Sequence, residues 1–424
     1  MARAMKDSSI EWIGEIPANW QIGRIGQLYT ERREKVSDTE YQPLSVTMKG
    51  ILPQLSTAAK TDAHDDRKLV RIGDFAINSR SDRRGSCGIS PYEGSVSLIN
   101  TILMPRNEMH PVYYNWLFHS TMFSDEFYKW GHGIVNDLWT TNWQDMKRIA
   151  VPIPPFEEQQ RIADFLDAEC ARIDAVIEQT RASIEEYKKL KQSVITQAVT
   201  KGMRPGRKMK DSGVEWIGDI PEEWTVLRKL SYAVNKSISY GIVKLFDPDD
   251  ISGVRVLRCS DVREGKIDTA NIRTVAKTVS DEYSRTLLEG GEVLINVRGT
   301  LGGCAVVPPE MRGYNIAREV AMISLTDAII NRYLMYFFLS KTFGTYEERH
   351  LAGSVYVGLN IEMLAACPVT LPPLPEQEHI VDYLDNKCQV FDNVIAKKSR
   401  IIQELESYKK SLIFEYVTGK KEVC

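Results

Sequence analysis

The feature that most constrains this chain is a stretch that occurs twice. Residues 154–200 read PPFEEQQRIADFLDAECARIDAVIEQTRASIEEYKKLKQSVITQAVT, and residues 372–418 read PPLPEQEHIVDYLDNKCQVFDNVIAKKSRIIQELESYKKSLIFEYVT. The copies align without a gap, placing Gln159 on Gln377, Asp167 on Asp385, Asp174 on Asp392, Ile184 on Ile402 and Val199 on Val417. Each opens on prolines and then runs without Pro or Gly to Gly202 or Gly419. Proline suits the start of a helix and breaks its interior, so each copy is punctuated as one long helix. At about 1.5 Å per residue that helix is on the order of 65 Å long.

The apolar pattern says what such helices need. Ile173, Ile177, Thr180, Ile184, Tyr187, Lys191, Val194 and Ala198 step by fours and threes. The equivalent positions of the second copy are Phe391, Ile395, Lys398, Ile402, Leu405, Lys409, Leu412 and Tyr416. That is the seam of a coiled coil, with a polar residue at two of the same places in the paired list. Two such helices in one chain can satisfy each other. Packing is therefore expected through Ile173, Ile177, Ile184, Tyr187 and Val194 on one helix and Phe391, Ile395, Ile402, Leu405 and Leu412 on the other.

The repeat extends beyond the helix. KDSSIEWIGEIPANW (6–20) is echoed by KDSGVEWIGDIPEEW (210–224), so each half is a Trp-anchored opener, a variable middle and a long helix. The openers align at an offset of 204 and the helices at 218, so the second middle is 14 residues longer. The middles diverge but share landmarks: GDFAINSR (73–80) with GEVLINVR (291–298), and YYNWLFHSTMF (113–123) with YLMYFFLSKTF (333–343). Short alternating apolar runs between turns make each middle a mixed α/β domain rich in strand. The expected divisions are a first domain over 1–153, a helix and linker over 154–203, a second domain over 204–371 and a second helix over 372–424.

A chain of 424 residues is too long for one ordinary domain. Its longest apolar run, 333–339, is too short to span a bilayer, and MARAMKDSSIEW lacks the apolar core of a signal peptide. The seven cysteines stand singly without a CxxC pair, which fits a reducing cytoplasm and argues against a disulfide framework or structural zinc. The net charge of −3 excludes binding DNA by overall charge alone; any basic surface must be local or come from a partner.

The familiar catalytic motifs are missing. There is no GxGxxG, no GxxxxGK[ST], no HExxH and no GxSxG elbow. Pro154-Pro155-Phe156 follows Ile153, which has no side-chain acceptor for an adenine amino group, so it reads as a helix start. Asp249, Glu264 and Lys266 fit the spacing of a PD…ExK magnesium-dependent nuclease. That pattern is short, common by chance and present in only one half, so solvated loop is the better reading of those residues.

The loops after the shared strands carry more information. Asn78, Arg80, Arg83 and Arg84 crowd one Gly-containing loop, and Asn296, Arg298 and Thr300 occupy its equivalent. Arginine pairs bidentately with guanine and asparagine with adenine, while Gly loops let backbone amides approach phosphate. Ordinary surface charge is the competing explanation, but the shared position in both halves favours two readers of different short sequences. Gly133, Asn136, Arg258, Ser260, Ser354 and Tyr356 complete the candidate DNA contacts.

WIGEIP and WIGDIP, the helix starts PIPPFEEQ (152–159) and LPPLPEQ (371–377), and the duplicated domain-plus-helix order resemble the specificity subunits of type I restriction–modification systems, the HsdS family. GEVLINVRGTLG also looks like a loop of that family's target recognition domains. The resemblance covers nearly the whole chain. It implies two target recognition domains, each reading one half of a split DNA site, and an antiparallel coiled coil whose length sets the gap. It implies a non-catalytic subunit. S-adenosylmethionine, ATP and magnesium belong to partner subunits, two for modification and others for restriction. The first half departs from the pattern, with SRSDRRGSCG and GHGIVNDLW at the two loops. A purely structural coiled-coil adaptor that never reads bases is the remaining alternative.

Overall fold

The computed structural model describes residues 3–54, 65–106, 108–133, 139–243, 253–351 and 358–423. The chain is mixed α/β and divides into two compact units, one formed by residues 1–181 and 400–424 and the other by residues 182–399. Both cuts fall inside the long helices, which span Phe156–Lys201 and Leu374–Val417. Compactness thus divides the chain differently from the sequence boundaries, because the two ends of each helix pack into different cores.

In the first unit the opener is an antiparallel hairpin, Met5–Asp7 against Glu15–Pro17, with Met5 opposite Pro17. A four-stranded antiparallel sheet follows, in the order Cys87–Ile89, Phe75–Asn78, Asn100–Pro105, Tyr29–Glu31. Helices Pro111–His119 and Thr121–Lys129 cover its aromatic face, where Tyr29, Phe75, Tyr114, Phe118, Phe123 and Phe127 are fully buried. The last strand, Ala150–Ile153, pairs with Gln21–Arg24 beside the opener and delivers the chain to the helix start.

The second unit repeats this plan. Its opener pairs Met209–Asp211 with Asp219–Pro221, and its four-stranded sheet runs Ser239–Tyr240, Val320–Ile323, Val293–Asn296, Cys304–Val306. Asn331–Phe338 and Lys341–Leu351 are the covering helices, and Val369–Leu371 pairs with Thr225–Leu227.

Each core is sealed by one end of both long helices. In the first unit Ile162, Leu166, Ile173 and Ile177 from one helix join Leu412, Ile413 and Val417 from the other. In the second, Ile195, Ala198 and Val199 join Ile380, Leu384 and Cys388. The helices run antiparallel in each unit. Phe165 lies against Tyr416 at 4.4 Å, Asp174 pairs with Lys409 at 2.6 Å and Arg181 with Glu406 at 2.9 Å. In the second unit Tyr187 meets Phe391 at 6.3 Å and Lys191 pairs with Asp392 at 2.6 Å. Every seam position read from the sequence is buried or half-buried. Its polar members are matched: Lys191 and Lys409 hold the aspartates just named, and Lys398 stands over the Tyr187 ring at 5.8 Å.

The Pro-Pro…Glu-Gln start and the Trp of the opener form one structure. Trp20 Nε1 donates to Glu158 Oε2 at 2.9 Å, and Arg3 bonds the same carboxylate while lying over the Trp20 ring. Trp224, Glu376 and Arg207 repeat this, with Trp224 Nε1 donating to Glu376 Oε2 at 2.9 Å. The neighbouring glutamines tie the helix start to the domain. Gln159 Oε1 accepts from the His110 amide, and Gln377 Oε1 from the Ile330 amide. At the opposite helix ends, Tyr113 donates its hydroxyl to Val417 O at 2.7 Å and Tyr333 to Val199 O at 3.2 Å. Those carbonyls belong to the last turns, which leave acceptors unpaired within the helix. Gly202 and Gly419 then end the helices with φ of +70° and +71°, the left-handed conformation that glycine takes at little cost. Among the described residues no helix is long and apolar enough to cross a membrane.

Candidate nucleic-acid interface

In both units the central strand of the four-stranded sheet ends in an Asn and opens into the loop singled out above. In the second unit Val293–Asn296 leads to Arg298, which is exposed and lies over the Tyr240 ring at 5.6 Å. Tyr240 is itself held, since its hydroxyl donates to Leu359 O at 3.2 Å. Arg298 also forms a bridge with Gly358, where an added Cβ would sit 2.5 Å from Val297 O. A side chain at 358 would push the two segments apart, so glycine is what lets them close. Thr300 is exposed on the same loop.

Asn296 has a different role from the one its residue type suggested. It is fully buried, and its amide donates to Cys259 O at 2.9 Å, Val262 O at 3.1 Å and Thr300 O at 2.9 Å. The side chain therefore clamps the loop and is not presented to a base. Asn78 is likewise buried, with Oδ1 accepting from the Arg80 amide at 3.0 Å. Arg258 is half-buried. Its guanidinium is held by Asp261 at 2.9 Å and donates to Asn271 O at 2.8 Å, so it braces a turn. Ser260 is exposed, although its hydroxyl donates to Asp261 Oδ1.

In the first unit Arg80 pairs with Thr140 as Arg298 does with Gly358, at the same spacing along the chain. Tyr128 donates its hydroxyl to Arg80 O at 2.8 Å. Arg83 and Arg84 are exposed; Arg84 pairs with Asp125 at 3.2 Å and lies over the Tyr128 ring. Gly133 is exposed. Asn136, Ser354 and Tyr356 lie outside the described residues. The structure thus gathers Arg80, Arg83 and Arg84 at the end of one inner strand and Arg298 and Thr300 at its counterpart.

Sequence reasoning missed a β-hairpin that packs against the strand leaving each loop. In the second unit it pairs Val262–Arg263 with Lys266–Ile267 through the turn Glu264-Gly265, and Gly265 N donates to Cys304 O at 2.8 Å. In the first unit it pairs Leu44–Thr47 with Gly50–Pro53, and an added Cβ on Gly88 would lie 2.9 Å from Gly50 Cα. The signal was present in the apolar alternation around a Gly-containing turn. Glu264 and Lys266, two of the three nuclease candidates, belong to this hairpin; the third, Asp249, lies outside the described residues. Among the described residues no group of three or more His, Cys, Asp or Glu side chains could hold a metal.

One titrating group lines a pocket with Glu264 and Gly302. Glu347, on helix Lys341–Leu351, has its pKa pushed up to about 7, first by burial and then by the charge of Glu348. A carboxyl raised in the folded state is accommodated as the neutral acid, and its ionisation costs stability as pH climbs towards that value. The second unit is therefore expected to lose on the order of 1–3 kcal/mol between about pH 4.5 and pH 7, allowing for partial solvent access. Glu347→Gln should leave the melting temperature unchanged near pH 4 and raise it at pH 8. Equal melting temperatures for the two chains at pH 8 would refute this.

The chain thus defines a class of duplicated mixed α/β domains, each with an arginine-bearing loop at the end of an inner strand and each sealed by antiparallel helices. A sequence profile described as "Type I restriction modification DNA specificity domain" matches residues 17–186 and 254–407. The type I restriction enzyme EcoBI specificity subunit of Escherichia coli is 26% identical over 64% of this chain and 58% of that protein. The MjaVIII specificity subunit of Methanocaldococcus jannaschii is 23% identical over 96% of this chain and 94% of its own length. A chain from the structure described as "Structural basis underlying complex assembly and conformational transition of the type I R-M system" superposes with a TM-score of 0.71 at 16% identity, covering 96% of this chain and 99% of that one. That likeness establishes the fold. This chain belongs to the type I restriction–modification DNA specificity family.

Proposed function

We propose that this chain gives a type I restriction–modification complex its DNA sequence specificity, each unit reading one half of a bipartite target. The observation that carries this reading is the duplicated loop, with Arg80 and Arg298 at equivalent strand ends and different side chains around them. Phosphate contacts position a protein on DNA, while side chains reaching base edges specify the sequence, so two unlike sets of loops read two unlike half-sites. The paired helices set the gap between half-sites. The openers and helices dock two modification subunits, and restriction subunits join through them. The chain itself does no chemistry: S-adenosylmethionine, ATP and magnesium are held by the partners, which also supply much of the phosphate binding that a net charge of −3 does not.

The test is a genome-wide map of N6-methyladenine in host DNA with and without the chain, together with a pull-down for a methyltransferase. Loss of a split motif with a fixed gap on deletion supports the reading. A co-purifying, active methyltransferase with an unchanged methylation map would refute it. Lengthening both helices by matched insertions in the seam is expected to lengthen the unspecified gap of the methylated motif, and an unaltered gap would remove the helices as its determinant.

A further inference from the structure

We propose that Leu98 and Ile99 read thymine, contacting the C5 methyl group of T·A pairs in the half-site of the first unit. The proposal rests on the reading of this chain as a reader of duplex DNA. Leu98 and Ile99 form the turn that enters strand Asn100–Pro105. Asn100 pairs with Asn78, so in this antiparallel register the residues before Asn100 lie beside those after Asn78. The contact is direct, because Ser79 N donates to Ile99 O at 3.2 Å. The turn therefore shares its edge with Arg80.

Both side chains are open to solvent, Leu98 at 36% and Ile99 at 41% exposure. Single exposed apolar residues are commonplace and need no function. Here the second unit provides an internal control. Its strand Val320–Ile323 pairs Val320 with Asn296, and Val297 N donates to Glu319 O at 2.9 Å. The equivalent turn is thus Arg318-Glu319, with Arg318 exposed. The fold accepts a charged pair at this turn, so the apolar pair of the first unit is no requirement of folding. Neither Leu nor Ile supplies turn chemistry either, which Gly, Asn or Asp would. Beside a base-reading loop, an exposed aliphatic pair finds its complement in the thymine methyl, the one apolar group on the major-groove edge. Arg318 and Glu319 bring hydrogen-bonding chemistry to the same position in the other unit.

The experiment uses the methyltransferase complex containing the full chain and a duplex carrying the motif found by methylation mapping. Each thymine of the first half-site is replaced by deoxyuridine, which removes the methyl and keeps the base pair. The native complex is expected to bind about three- to fivefold more weakly per contacted thymine, the value of one buried carbon. L98R/I99E, which copies the turn of the second unit, should bind the native site more weakly and be indifferent to deoxyuridine. Its retained selectivity for the second half-site reports that the chain is folded. Selective native binding that ignores deoxyuridine, or equal sensitivity in the variant, would overturn the proposal. Absence of any sequence-selective binding by the native complex would overturn the underlying reading as well.

Discussion

Arg298→Ala is expected to cut methylation of the bipartite motif by roughly fivefold to over a hundredfold, the range of a lost bidentate base contact of about 1–3 kcal/mol. The defect should fall on the half-site of the second unit. Subunit assembly should persist, because the guanidinium is exposed and lies over the half-buried Tyr240 ring. Loss of its position over Tyr240 costs the fold at most about 1 kcal/mol, since Tyr240 keeps its hydrogen bond to Leu359 O. Arg298→Lys should fall between the two, keeping charge but losing the planar fork. Quantitative methylation of plasmids bearing each half-site variant, with co-purification as the assembly control, checks this. Unchanged methylation and affinity would remove Arg298 from the interface.

The second large effect is on stability. Glu376 accepts from Trp224 and is paired with Arg207, and its side chain is only 16% exposed. Alanine there leaves the Trp224 indole N–H without its acceptor and the nearly buried Arg207 guanidinium with only its longer pair to Glu223 at 3.3 Å, a defect of at most about 3–5 kcal/mol. Denaturant unfolding of the second unit should report it, with Glu376→Gln intermediate because the amide oxygen can still accept from Trp224. Burial would raise the Glu376 pKa, but bonding to Arg207 and Trp224 and the Arg207 charge together hold it below the ordinary value. Its contribution is therefore present above the ordinary carboxylate pKa and is lost as pH falls through the lowered one. The pair Glu347 and Glu376 thus act in opposite pH directions within one unit. An unfolding midpoint for Glu376→Ala equal to that of the native chain would show that the Trp–Glu–Arg arrangement holds nothing.

The long helices and their seam were legible because they rest on local rules. Prolines at the start, glycine at the end and apolar steps of threes and fours act within a few turns, and a second copy of the stretch marked the partner. The loops were legible in position for a similar reason, since GDFAINSR and GEVLINVR place strand ends by alternation and glycine. Their side chains were not. An asparagine that clamps three carbonyls and an asparagine that reads adenine use the same amide, and only the burial of Asn296 separates them. Arg258 and Arg298 look alike in sequence, yet one is held by Asp261 and the other is exposed over the Tyr240 ring. The Leu98–Ile99 turn carried no polar signal at all and gained meaning from its register beside Ser79 and from Arg318-Glu319 at the equivalent place.

The sequence by itself determined the duplication, the mixed α/β domains and the two helices, because periodicity and punctuation are properties of neighbouring residues. Only the tertiary structure decided which polar groups serve the fold and which are free to meet a ligand. A buried polar group must find its partner wherever the chain places one, and for Asn296, Glu158 and Glu376 the partners come from distant segments that no local pattern announces.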